Sequence, residues 1–171
     1  MEKPSTARIA LKWGIISAIF SIIFSTILYI TDLWMNPWLV STSYVILTIC
    51  IFMSMKEYKS LNNGFLNYGE GLGLGTLLSA VAGVFSSTFN YVYTTFVDTS
   101  INQKILDIQR EGMEKRGMSE EQIEQFMEIS ANFMSPGIVF LSNILSIIFI
   151  GFIISLIIAA IQKNTKPEIE F

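Results

Sequence analysis

Histidine is absent from the chain, and cysteine occurs once, as Cys50. Without histidine there is no His-ligated zinc site, no Ser-His-Asp triad, no Cys-His dyad and no imidazole proton relay. A lone cysteine makes no intrachain disulfide, and in the apolar run around Cys50 it reads as a small hydrophobe. Charge is scarce as well. Asp, Glu, Lys and Arg make up 15% of the 171 residues, where about 25% is usual for a soluble domain. The 11 Lys and Arg are outnumbered by 14 Asp and Glu, which excludes a nucleic-acid binder working through a basic surface. Only 4 Pro and 11 Gly accompany 51% hydrophobic residues, so the chain is neither disordered nor collagen-like. No cofactor is expected from these residue types.

What the chain does have is long apolar runs. A bilayer span needs about 20 apolar residues, and four stretches qualify: residues 13–30, 39–55, 71–96 and 137–161. The first carries no charge and follows Lys3, Arg8 and Lys12. It is long for a signal-peptide core and lacks a small-x-small cleavage site, so it reads as an uncleaved anchor. Tyr29, Trp34 and Trp38 surround the connection Thr31–Pro37 as an interfacial aromatic group. The second span is the most polar, with Ser41, Thr42, Ser43 and Thr48, and Lys56, Glu57 and Lys59 are expected to stop it. Asn62, Asn63 and Gly64 signal a turn in the polar link that follows. Asp98 closes the third span, and Pro136 suits the first turn of the fourth, where its missing N–H costs nothing.

Charge is concentrated between spans three and four, in residues 99–135. Ile101, Ile105 and Ile108 recur at helical spacing, and Gly117 then breaks the run. Ser119 is a candidate N-cap with Gln122 at capping-box spacing. Ile123, Phe126, Met127, Ser130, Phe133 and Met134 follow at i, i+3, i+4 intervals. The pattern predicts a helical hairpin with one apolar face. Three uses of that face stay open: packing on the protein's own spans, lying on a membrane surface, or docking a partner through Ile123, Phe126, Met127 and Phe133.

Lysine and arginine set the orientation. With the N-terminus in the cytoplasm, the inner segments carry Lys3, Arg8, Lys12, Lys56, Lys59, Lys163 and Lys166. The outer segments then carry only Lys104, Arg110, Lys115 and Arg116, beside nine acidic residues, so the outer face is anionic.

Gly69, Gly71, Gly73 and Gly75 alternate at the start of span three. No strand precedes them, so a dinucleotide fingerprint is dismissed. Gly71, Gly75, Ser79, Gly83 and Ser87 instead repeat every four residues, a smooth ridge for close helix approach. Gly14 in span one and Gly151 in span four begin or continue similar ridges. They suit intrachain packing or a homo-oligomer alike. Glu70 stands next to this ridge. It reads either as a capping or interfacial acid paired with Lys12 or Lys59, or as a proton- or cation-coupling carboxylate. Asn90 and Asn143 are expected at one level near the outer ends of spans three and four, where an interhelical hydrogen bond would be worth about 1 kcal/mol.

One ordered combination carries a resemblance. It comprises the glycine-rich start of span three, Phe89-Asn90-Tyr91-Val92-Tyr93 with Phe96-Val97-Asp98, the Met118–Met134 helix ending at Ser135-Pro136, and a last span ending GFIISLIIAAIQKN. Over nearly the whole chain it resembles the four-span bacterial membrane family catalogued as domain of unknown function 4199, common in Bacteroidota. That resemblance implies a bacterial cell membrane and supplies no activity, ligand or catalytic residue. The expected fold is all-α: four transmembrane helices, both termini cytoplasmic, and an extracytoplasmic amphipathic helical hairpin between helices three and four. The expected function is non-enzymatic, an envelope interaction or accessory protein of the inner membrane, with lipid, another envelope protein or a second copy as partner. The alternative is a small oligomeric transporter or channel subunit with Glu70 at a cation or proton site.

Overall fold

A computed structural model of the chain describes residues 3–133 and 135–166. Met134, part of the amphipathic repeat above, lies outside the described residues. The described chain holds six α-helices and no β-strand: α1 Thr6–Ile30, α2 Pro37–Leu61, α3 Tyr68–Val92, α4 Ser100–Lys115, α5 Glu120–Phe133 and α6 Pro136–Gln162. A π-helical turn, Tyr93–Val97, extends α3 and closes with the Asp98 N–H donating to the Tyr93 carbonyl at 2.9 Å. Four helices, with the π turn counted into α3, are long and apolar enough to cross a membrane.

Local sequence sets the helix ends. The Ser5 hydroxyl accepts from the Arg8 N–H and starts α1. Asn36 accepts from the Trp38 N–H, with Pro37 in the first position of α2, where proline is pre-set for a helix. Asn63 (φ 54°) and Gly64 (φ 83°) make the α2–α3 turn, and Gly117 (φ 76°) makes the α4–α5 turn. These are left-handed positions that glycine and asparagine tolerate best. The α5 capping box forms as its spacing predicts: the Ser119 N–H donates to Gln122 Oε1 at 3.0 Å, and the Gln122 N–H to Ser119 Oγ at 3.4 Å.

The long helices overrun their apolar stretches. Lys56, Glu57 and Lys59 end the hydrophobic run of α2, but the helix continues to Leu61. Lys and Glu are good helix formers, and the extra turns carry the buried Tyr58 into the core. At the other end of the chain α1 begins at Thr6, ahead of the apolar run, and its first turns bury Ile9 and Ala10.

The chain forms two compact units, Met1–Ser86 with Ile144–Phe171, and Ser87–Asn143. The core of the first comprises Ile9, Ala10, Leu47, Ile51, Met55, Tyr58, Leu66, Leu74, Leu78, Ala82, Ile158 and Ala159. Each spanning-length helix buries only 22–39% of its most apolar window. Much of the rest, including Ile19, Phe20, Ile23 and Phe149, is exposed. Apolar surface on that scale is what a lipid-solvated bundle presents and what a water-solvated monomer avoids.

Within the first unit α3 and α6 run antiparallel in one register. Gly71 faces Ala159, Gly75 faces Ser155, Ser79 faces Gly151, and Gly83 faces Ile147. The two middle pairs are reciprocal, each glycine receiving the serine of the other helix. A β-carbon on Gly75 would fall on the Ser155 hydroxyl and stand 2.8 Å from the Ser155 Cβ. Both hydroxyls are satisfied inside their own helices, Ser79 donating to the Gly75 carbonyl at 2.8 Å and Ser155 to the Gly151 carbonyl at 2.6 Å. The serines therefore close the seam without an orphaned polar group. Gly14 brings α1 equally close to α3: a β-carbon there would stand 2.6 Å from the Val81 Cβ and 2.9 Å from the Leu78 carbonyl oxygen.

Candidate functional site

The start of α1, the end of α2, the start of α3 and the end of α6 meet at one end of the first unit. The polar groups of that end are ordered by two carboxylates, two backbone carbonyls and one backbone bridge. Glu57 accepts from the Lys12 ammonium through both oxygens, at 2.9 and 2.8 Å, and from the Trp13 indole N–H at 2.6 Å. Glu70 accepts from Lys3 at 2.9 Å and, through its other oxygen, from the Asn67 N–H at 3.0 Å. This second bond closes the first turn of α3, where a carboxylate also complements the helix dipole. Lys3 is held charged above the usual lysine range by its bond to Glu70. The Lys59 ammonium donates to the Gln162 carbonyl at 3.0 Å, and the Gln162 amide donates to the Phe52 carbonyl at 2.9 Å. Leu66 and Asn164 exchange backbone bonds at 2.9 and 2.8 Å, tying the exit of α6 to the α2–α3 loop.

The expected partners of Glu70 are thus corrected. It pairs with Lys3, while Lys12 is taken by Glu57 and Lys59 by a carbonyl. The cause is the overrun of α2, which lifts Glu57 to the level of Lys12. Glu57 went unnoticed as a site residue because it reads as a stop signal. The clue was Trp13 beside Lys12, an aromatic donor and a cation next to each other ahead of an uncharged run.

Asn90 lies in the second unit, in a shallow cleft with Tyr91, Thr94, Asn102, Val139 and Phe140. The Thr94 hydroxyl donates to the Asn90 carbonyl at 2.9 Å, and the Asn102 amide reaches the Thr94 carbonyl at 3.4 Å. Tyr91 and Phe140 meet edge to face, their ring centres 6.0 Å apart. The space left holds no more than a water. Asn143 is half-buried on α6 and does not line this cleft. Ser87, the last member of the small-residue ridge, is buried in the same unit.

The segment between spans three and four forms two helices, α4 and α5. Arg110 bridges Glu114 on its own helix at 3.3 Å and Glu120 on α5 at 3.0 Å, and Lys115 pairs with Glu111 at 2.7 Å. Of the four apolar residues that are candidates for docking a partner, Phe126 and Phe133 are exposed, Met127 is half-buried, and Ile123 is buried at 3% exposure. Ile123 is therefore a packing residue, because the i, i+3, i+4 set spans an arc wider than the open face. Ile129, which the spacing of Phe126 and Phe133 also picks out, is exposed on the same side.

Among the described residues no three His, Cys, Asp or Glu side chains gather as metal ligands. The best-connected carboxylates, Glu57 and Glu70, are each engaged through both oxygens.

No curated protein and no solved structure matches the chain. One family does, described as a protein of unknown function, and its model matches residues 12–164. That stretch runs from Lys12, which pairs with Glu57, to Asn164, which closes the bundle end. The chain belongs to the DUF4199 family.

Proposed function

We propose that this protein is a non-catalytic accessory protein of the bacterial cytoplasmic membrane, with both termini in the cytoplasm and the α4–α5 pair outside. There it offers an acidic surface to another envelope protein. The positive-inside bias supports the orientation: Lys3, Arg8, Lys12, Lys56, Lys59, Lys163 and Lys166 belong to the helix ends and flanks that converge at the Glu57–Glu70 end. The observation that carries the interaction reading is the acidic surface of α5, with Glu121, Glu124 and Glu128 all solvent-exposed on a helix that contains no Lys or Arg. Such a surface favours a cationic partner and speeds its capture at low salt. Support for transport through Glu70 is thinner, since that carboxylate already holds Lys3 and caps α3.

A photo-crosslinking residue at Glu124, in cells of the native bacterium, tests this. The expected result is one discrete protein adduct, lost when Glu121 and Glu128 are both changed to Lys. No adduct at Glu124, or an adduct indifferent to those charge reversals, would overturn the proposal.

A further inference from the structure

The exposed apolar stripe of α5 is not explained by an acidic docking surface. Phe126, Ile129 and Phe133 are 48%, 58% and 65% exposed, although large apolar side chains of a well-packed helix would be covered. We propose that this stripe rests in the lipid interface of the outer leaflet, so that α5 lies along the membrane surface beside the start of α6. The proposal rests on the membrane reading above.

Helix geometry supports it first. With successive residues turned by about 100°, Ile123, Met127 and Ser130 share the inward arc, and the Phe126, Ile129 and Phe133 stripe lies next to it. Glu124 stands about opposite the stripe, and Glu121 and Glu128 are each about a quarter turn or more from it. A helix seated on its stripe therefore turns these carboxylates toward water. Gln125, neutral and able to hydrogen-bond, flanks the stripe where lipid headgroups would lie, and Gln122, held in the capping box, ends the stripe at the start of the helix. The absence of Lys and Arg from α5 means that seating depends on apolar burial and not on anionic lipid.

Tethering supports it second. Phe133 is three residues from Pro136, so the end of α5 is at most about 11 Å of chain from the start of α6. From Pro136 to Gln162, α6 contains no charged residue. In the same unit, Ile138 and Leu141 at its start are exposed, as are Phe96 and Val97 at the end of the π turn. The stripe thus stands a short length of chain from an exposed apolar surface that a spanning α6 gives to lipid. A soluble partner would have to cover it within reach of the bilayer.

Site-directed spin labelling of the full chain in phosphatidylcholine vesicles decides the matter. Single cysteines replace Phe126, Ile129 or Phe133, and separately Glu121, Glu124 or Glu128, in a Cys50→Ser background. Leu145→Cys and Phe149→Cys report on α6. The expected result is a several-fold higher ratio of oxygen to nickel-chelate collisions along the stripe than at the acidic positions. Stripe labels open to the nickel chelate while the α6 labels remain in lipid would overturn the seating and leave the membrane reading intact. Stripe labels shielded from both reagents would overturn it in favour of a second copy covering α5. Nickel-accessible α6 labels would overturn the membrane reading itself.

Discussion

Gly75 on α3 and Ser155 on α6 form a contact whose strength can be worked out from the missing atom. In the Gly75→Ala variant the new methyl falls on the Ser155 hydroxyl, 2.8 Å from the Ser155 Cβ and 3.2 Å from a methyl of Ile51. The Ser155 Cβ is fixed to the α6 backbone, so the helices must part. Overpacking of this kind costs about 1–3 kcal/mol, and the better helix propensity of alanine returns about 0.5–1 kcal/mol. The net loss is about 0.5–2 kcal/mol, or a few degrees in Tm at roughly 2–4 °C per kcal/mol for a chain of this size. Ser155→Gly alone forfeits its 2.6 Å bond to the Gly151 carbonyl and about 0.5 kcal/mol of helix propensity. Together the two changes move the β-carbon from one helix to the other. The double variant should therefore be no less stable than Ser155→Gly alone, with a coupling energy of about 1–2 kcal/mol. Gly73→Ala is the control, because a β-carbon there meets nothing within 4 Å, and it should be neutral or slightly stabilising. Thermal unfolding of the purified full chain in detergent reads all four variants. Additive losses from Gly75→Ala and Ser155→Gly would refute the reciprocal register.

Two further outcomes follow from the polar contacts. Glu57→Ala leaves the Lys12 ammonium and the Trp13 indole N–H without their acceptor and should cost about 1–3 kcal/mol. In a Trp34→Phe, Trp38→Phe background it should also shift the Trp13 emission to longer wavelength, whereas Glu57→Gln keeps a neutral acceptor and loses less; an unmoved spectrum would refute the contact. The Ser100 hydroxyl, donating at 2.6 Å, together with the Ser100 N–H, holds the Asp98 carboxyl below its usual range. A carboxyl whose folded pKa is depressed contributes stability above its unfolded value and loses it as the pH falls through the folded one. Protection of the amides in the first turn of α4, measured against the intrinsic exchange rate at each pH, should therefore fall in acid. Asp98→Asn should remove that acid-dependent part, and an identical pH profile in both forms would refute the Asp98–Ser100 contact.

The spans, the hinge at Gly117 and the Ser119–Gln122 box were legible because each depends on residues close in sequence. The small-residue ridges were legible too, since a four-residue repeat names a helix face whatever it packs against. Their register was not. Nothing local to Gly75 or Gly151 says that α3 and α6 pair, or that each glycine receives the other helix's serine. Glu57 escaped for a related reason: its role requires α2 to continue past its apolar run and come level with Lys12. The open arc of α5 is a third such case. The sequence separates apolar from polar positions, but only packing distinguishes Ile123, which is covered, from Phe126, which is not.

The α3–α6 seam also has a consequence for how the protein is made. Domains are built from the N-terminus at roughly 5–20 residues per second. Ser155 leaves the ribosome eighty residues after Gly75, so the glycine face of α3 waits roughly 4–16 s for its partner. During that interval it is a smooth helical surface of the kind other helices approach most closely. Orderly assembly of this small bundle therefore depends on what occupies that face until the last helix arrives, whether lipid, the insertion machinery or, as an error, the same face of a neighbouring nascent chain.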